Sequence, residues 1–243
     1  MARVIRIALW WLVALAIAAA AFWFGRDYAR RHPQDIPWTP LRLDDPVGLF
    51  TLRKLASLSD EPAECRALLQ SARSGDIPAS PRSGGPDCGY ANGMRLTRAT
   101  AEARYSPEGV VTSCPVAAAL YVFERQVVQP AALEHLGSRV AAFEHAGSYS
   151  CRRIYGRSEA AYSEHATANA IDIIGFRLAD GRSISVLRDW SQEGPEADFL
   201  HEVRDGACRL FATALSPDYN AAHANHLHLD QAGRGEMGWS MCR

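Results

Sequence analysis

Lysine is almost absent. Lys54 is the only one, so the 26 basic residues are nearly all arginine. Against 27 acidic residues they leave a net charge of −1. No basic excess marks a phosphate-backbone surface, so no nucleic-acid partner is expected. The arginine bias reads first as codon usage, and second as a supply of planar donors for carboxylates. C-x-x-C pairs are also missing, which removes zinc ribbons and thioredoxin-like motifs. There is no internal repeat and no low-complexity tract. What remains is ordinary globular composition, 48% hydrophobic and 22% charged over 243 residues. That suffices for one domain with a full core, or a small domain plus an accessory segment.

The N-terminus departs from this. Residues 7–24 are an unbroken apolar run, preceded by Arg3 and Arg6 and closed by Arg26. As a helix it rises roughly 27 Å, close to the thickness of a bilayer core. Trp10, Trp11 and Trp23 lie near its ends, where indoles favour the interface. An uncleaved single-pass anchor is expected over residues 1–25. The alternative is a signal peptide cut near Ala18–Ala21, which would leave Phe22-Trp23-Phe24 at the new terminus. Arg26, Arg30 and Arg31 balance the N-terminal pair, so charge does not set the orientation. Residues 26–48 are polar and proline-bearing and read as an extended linker. The globular domain then runs over 49–243.

Six scattered cysteines behind an export segment imply three disulfides in an oxidising compartment, against six buried thiols in a cytosolic domain. Six cysteines allow 15 pairings. The sequential one is expected: Cys65–Cys88, Cys114–Cys151 and Cys208–Cys242.

Helices are expected over 50–58 and 61–72, the second opened by a proline, followed by a loop over 74–89. The most apolar stretch, 115–129, reads as the main core helix. Glu124 and Arg125 fall on its wet side, and a kinked continuation follows at Pro130. Short strands are expected at 140–143 and 147–154. A hairpin is expected at 170–178 and 183–187 across Ala179-Asp-Gly-Arg182. A helix over 197–215 and a final strand around Leu227 and Leu229 complete the set. Helices first and an antiparallel sheet later is an α+β plan.

Chemistry concentrates in two stretches. In Ser163-Glu-His-Ala-Thr-Ala-Asn-Ala-Ile-Asp172, a histidine precedes an apolar strand that carries a carboxylate. A buried carboxylate is costly unless it is paired or holds a metal, and many arginines are available to pair it. In His226-Leu-His228, both imidazoles project from one face of a strand. If the two strands are neighbours, His165, Asp172 and one of the two C-terminal histidines converge as three metal ligands, with a fourth position left for water.

Ser163-x-His165-x-x-Ala168-x-Ala170-x-Asp172 followed by His226-x-His228 resembles the zinc signature of the LAS metallopeptidases. That superfamily includes lysostaphin-type and D-Ala-D-Ala (M15-type) peptidases and the Hedgehog signalling domain. The chain is more similar still to the bacterial extensin-like C-terminal family, over about residues 37–243. The matching segments include Pro37-Trp-Thr-Pro-Leu41, Gly147-Ser-Tyr-Ser-Cys-Arg-Arg153, Val186-Leu-Arg-Asp-Trp190 and Ser216-Pro-Asp-Tyr-Asn220. The resemblance implies zinc held by His165, Asp172 and His228, on an antiparallel sheet packed by the N-terminal helices. It gives His226 the part of a hydrogen-bond partner to the attacking water. It puts Arg152 near the scissile carbonyl or a substrate carboxylate, with Arg153 as the rival. The superfamily usually has glycine where this chain has Ala168. A Glu-x-x-His variant would need glutamate at 225, where Asn225 stands. His223 is expected in a loop or behind the site, Glu164 toward solvent, Asp230 as a partner of a histidine or a strand cap, and Asp189-Trp190 in a structural role.

The expected function is a membrane-anchored zinc peptidase acting on peptidoglycan peptides, as a D,D-endopeptidase or carboxypeptidase. It would be held in the inner membrane with its C-terminal domain in the periplasm. The alternative is a domain that keeps zinc and grips wall peptides without cutting them.

Overall fold

The structure, a computed structural model, describes residues 1–97, 103–233 and 240–243. Helix α1 (Ala2–Arg31) contains the apolar run. Trp10, Trp11, Phe22 and Trp23 on it are all largely exposed, so among the described residues no protein core takes up this surface. The helix is long and apolar enough to cross a membrane.

The linker is not simply extended. The helix continues to Arg31, and a 3-10 turn follows at Pro33–Asp35. That turn is fastened to the domain. Lys54 Nζ donates to Pro33 O and to Thr39 Oγ1 at 2.9 Å, and Leu49 N–H donates to Asp35 Oδ1 at 2.9 Å. The only lysine is thus a largely buried clamp between linker and domain.

Helices α2 (Thr51–Ser57) and α3 (Pro62–Ser71) follow as expected. The expected loop over 74–89 instead holds short strands, β1 (Ile77–Pro78) and β2 (Arg82–Ser83), and ends at β3 (Gly89–Tyr90). β2 pairs with β3 in a small ribbon. β1, β4 (Gly93–Arg95) and β6 (Val111–Ser113) form a three-stranded sheet. Between the last two lies β5 (Arg104–Ser106), which joins the main sheet.

Helix α4 (Cys114–Phe123) is the core helix. Ser113 caps it by accepting from Val116 N–H, Pro115 occupies its first turn, and all ten residues are buried. It passes through a π-helical turn at Glu124–Val128 into α5 (Gln129–Leu136). Pro130 has no N–H for the Gln126 carbonyl, and its ring crowds that oxygen; the widened turn accommodates both. Glu124 is not on a wet face. It is buried and accepts from Ala103 N–H at 2.7 Å, while Arg125 is exposed.

Among the described residues the main sheet has seven strands. β7 (Val140–Gly147) pairs along one edge of β8 (Ala170–Leu178). The other edge of β8 is shared by β9 (Ser183–Ser185) and β11 (Leu227–Asp230). β5 lies parallel outside β7; beyond β11 come β10 (Thr213–Leu215) and, parallel to it, β12 (Met241–Cys242). The expected strand at 147–154 does not form, because Gly147 at φ 118° turns the chain away. The second arm of the expected hairpin is cut short by α6 (Val186–Asp189). The expected helix over 197–215 splits: α7 (Pro195–Ala207) ends, and the buried run after it is taken by β10. Pairing with both β11 and β12 outweighs helical pattern there. Gly206 on α7 has a packing reason, since a Cβ would lie 2.2 Å from Val127 Cγ1 in the π-helical turn.

Five phenylalanines fill the space between sheet and helices. Phe143 and Phe176 of the sheet stack edge-on at 5.3 Å. Phe123 of α4, Phe199 of α7 and Phe211 join them at 5.1–6.4 Å. Burial of each ring contributes about 1.5–3 kcal/mol, plus up to about 1.5 for such ring pairs.

Phe176 faces this core, yet Asp172, four residues earlier on the same strand, faces away from it. Strict alternation would put both on one side. The register with β7 shifts between Glu144↔Gly175 and His145↔Ile173, leaving Ile174 as an extra residue. This bulge reverses the facing of β8, so that Ile171, Ile173, Phe176 and Leu178 are all buried. It falls where the partner on the other edge changes from β11 to β9.

Three disulfides form, but only one is the expected pair, Cys208–Cys242, which ties β12 to the end of α7. The other two are Cys65–Cys114, joining α3 to the start of α4, and Cys88–Cys151, joining the β2–β3 ribbon to the segment after β7. Cα separations of 6.1 and 5.5 Å satisfy the bond, whereas neighbours in sequence were carried to different elements.

Candidate metal centre

His165 lies in a 3-10 turn, Glu164–Thr167, that leads into β8. Ser163 Oγ accepts from His165 N–H, and the turn closes at Ala168 with φ 57° and ψ 22°. This left-handed conformation is the one glycine adopts without strain. It explains why a glycine suits this position. The Ala168 carbonyl is held by Ser113 N–H at 2.7 Å, so the turn is anchored to the cap of α4.

Antiparallel pairing sets Asp172 of β8 directly opposite His228 of β11. His228 Nδ1 is 2.9 Å from Asp172 Oδ1. His165 Nε2 is 3.2 Å from that oxygen and 3.2 Å from His228 Nδ1. The outer nitrogen of each imidazole has its own acceptor. His165 Nδ1 faces the Ser148 carbonyl at 2.5 Å, and His228 Nε2 faces Asp230 Oδ2 at 3.0 Å. With those nitrogens carrying the protons, the lone pairs of His165 Nε2 and His228 Nδ1 point at Asp172 Oδ1. Three acceptors then converge with no donor between them. A tetrahedral cation with bonds of about 2.0–2.1 Å has ligand atoms about 3.3 Å apart, close to these separations. The donor set therefore fits a small divalent cation, and the outer hydrogen bonds are those that orient metal-binding imidazoles.

The charges agree with that fit. Burial works against ionisation of Asp172, but hydrogen bonds and charge from His165 and His228 outweigh it and hold its pKa well below the usual carboxylate range. Burial alone would make His228 a weaker base. Its bonds to Asp172 and Asp230 reverse this and raise its pKa to about 9. Without a cation, a proton on His228 supplies the missing positive charge.

His226 projects on the same side, its Nε2 3.5 Å from Asp172 Oδ1. Its Nδ1 faces Asn225 Oδ1 at 2.8 Å. Burial, then repulsion from His228, His165 and Arg152, lower its pKa despite the opposing pull of Asp172. His223 is buried beside it, with ring centroids 5.1 Å apart, and its pKa falls to about 4 through burial and the neighbouring His226 and His228 charges. These side chains line an open cleft of ≈ 350 Å³ with Arg152, Tyr155 and Tyr219.

All five expected site residues are thus brought together: His165, Asp172, His226, His228 and Arg152. Arg153 points elsewhere, donating to Ala160 O and stacking over Tyr162. Asp230 partners a histidine. Glu164 accepts from Asn169 Nδ2 at 2.6 Å rather than being left to solvent. Trp190 is buried and donates to Asp218 at 2.9 Å, outside the cleft. Sequence reading missed Ser148, whose backbone carbonyl carries no residue signature; His223 lies in a short turn beside His226, close to the site as expected.

An α+β domain with three converging His and Asp donors beside an open cleft defines the class. The chain belongs to the family described as extensin-like protein C-terminus, whose sequence pattern matches residues 63–243. All five site residues and all six cysteines lie in that span. Neither curated proteins nor solved structures yield a match to the chain.

Proposed function

We propose that this protein is a zinc-dependent peptidase of the periplasmic side, anchored by α1 and hydrolysing amide bonds in peptidoglycan peptides as a D,D-endopeptidase or carboxypeptidase. The sequence resemblance to LAS metallopeptidases belongs to this proposal. The observation that carries it is the convergence of His165 Nε2, Asp172 Oδ1 and His228 Nδ1, with the outer nitrogens of His165 and His228 already engaged, beside an open cleft.

His165 Nε2, Asp172 Oδ1 and His228 Nδ1 would hold the ion. Bound there, zinc supplies a Lewis acid and a water of lowered pKa. The chain's own residues do the rest. Asn225 fixes the proton of His226 on Nδ1, which leaves Nε2 facing the cleft as a base. Its lowered pKa keeps that imidazole neutral and able to accept a proton from water near pH 7. Arg152 places a cation in the same cleft, suited to a substrate carboxylate or to negative charge developing on the amide oxygen. Tyr155 and Tyr219 offer apolar walls with hydroxyl tips.

The test uses the full chain in detergent, loaded with zinc and incubated with purified muropeptides, with products read by mass spectrometry. Cleavage is expected. His226→Ala should keep the metal and lose turnover, and His228→Ala should lose the metal. Equimolar zinc with muropeptide binding but no cleavage would identify the non-hydrolytic binding domain instead.

A further inference from the structure

A second cavity adjoins the metal cleft, and Tyr162 lines both. Its other walls include Asp87, Gly89, Arg153 and Thr167. Arg153 is held in place: one guanidinium nitrogen donates to Ala160 O at 2.5 Å, and the guanidinium lies 4.4 Å from the Tyr162 ring centroid. The residue's backbone is also bridged to Tyr162. Its charge, however, meets no carboxylate among the described residues. Asp87 faces the same cavity from the β2–β3 loop and likewise has no cation beside it among the described residues. The Cys88–Cys151 disulfide fastens that loop to the segment carrying Arg153, so the two walls are covalently held together.

A fixed guanidinium and a carboxylate, each unpaired and lining one cavity, complement a ligand that carries both opposite charges. We infer that this cavity is a subsite for a side chain ending in both an ammonium and a carboxylate group, borne by the peptide whose amide lies in the metal cleft. The inference rests on the peptidase reading and names the substrate class within it. Arg153 retains donors for the carboxylate in fork geometry. Asp87 receives the ammonium, and the Tyr162 ring separates this subsite from the cleft, so that one extended peptide spans both.

Two synthetic muropeptide stems that differ at one residue test this. One carries diaminopimelate, with ammonium and carboxylate, and the other carries lysine, with ammonium alone. Affinities for the zinc-loaded full chain are measured by calorimetry on the His226→Ala background, and hydrolysis is measured on the unmodified chain. The diaminopimelate stem should bind about tenfold more tightly, as one charge-assisted contact allows. Arg153→Gln should erase that preference. Asp87→Asn, on an exposed loop where folding is not at stake, should weaken both stems by a similar factor. Equal affinity for the two stems, with hydrolysis of either intact, overturns the subsite and leaves the peptidase standing. Unchanged affinity in Asp87→Asn also overturns it. Failure of the zinc-loaded protein to bind either stem overturns both readings.

Discussion

Zinc affinity should climb steeply between pH 7 and 9, and a single residue should be the cause. In the metal-free chain, burial weakens His228 as a base, but Asp172 and Asp230 raise its pKa to about 9. Its Nδ1, the atom that would bind the metal, is therefore protonated at pH 7. On the order of one molecule in 100 has that nitrogen free, so apparent affinity at pH 7 lies on the order of 100-fold below its limiting value. Each pH unit above 7 should return about tenfold until pH 9, with one proton released per ion bound. Asp172 adds nothing to the slope, because its carboxylate is already ionised. Competition with a chromophoric chelator across pH 6.5–9.5, on the full chain in detergent, measures the slope directly. Asp230→Asn separates two effects. It removes one of the charges that hold the proton on His228, so the slope should flatten. It also weakens the acceptor behind the ligand, so affinity above pH 9 should fall about 10–100-fold. A slope near zero in the unmodified chain, or an Asp230→Asn curve superimposable on it, would refute the assignment of His228 as ligand and of Asp230 as its partner.

Three further outcomes follow from the fold. Asp76 is held largely by burial at a pKa of about 6, against 3.8 for its ordinary value, so the folded chain binds more protons between those pH values and stability falls as pH rises through them. Asp76→Asn, which keeps the acceptor for Thr97 N–H, should therefore stabilise by up to about 3 kcal/mol at pH 7 and by little at pH 4 in denaturant melts. Replacing Cys88 and Cys151 with serine releases a loop of 63 residues and should cost about 4 kcal/mol in the same melts. Ala168→Val forces a β-branched residue into a left-handed turn and should cost more than about 2 kcal/mol while lowering zinc content, with metal analysis as the readout.

Elements that are continuous apolar runs bounded by turn residues were legible, and 170–178 is one of them. Legibility failed where long-range pairing decides. The apolar run after Ala207 has no mark of its own to distinguish helix end from strand, and the choice is made by β11 and β12 on either side. The bulge at Ile174 was equally hidden, since the one-residue shift is visible only against β7. Glu124 looked solvent-facing because its neighbours are apolar and it is charged, yet a distant backbone N–H from Ala103 awaits it in the core.

By itself, the sequence determined the apolar N-terminal helix, the α+β order of elements and which residue types are capable of binding a metal. Those follow from local composition and period, which need no partner. Tertiary structure decided that His228 rather than His226 meets Asp172 across the sheet, because register, not alternation, sets which residue lies opposite. It decided which acceptors lie behind the two imidazoles, Ser148 O and Asp230 Oδ2, the disulfide pairs through proximity, and the choice of Arg152 over Arg153 for the cleft. Each of these depends on distances between residues far apart in the chain, and such distances exist only once the sheet has closed around its core.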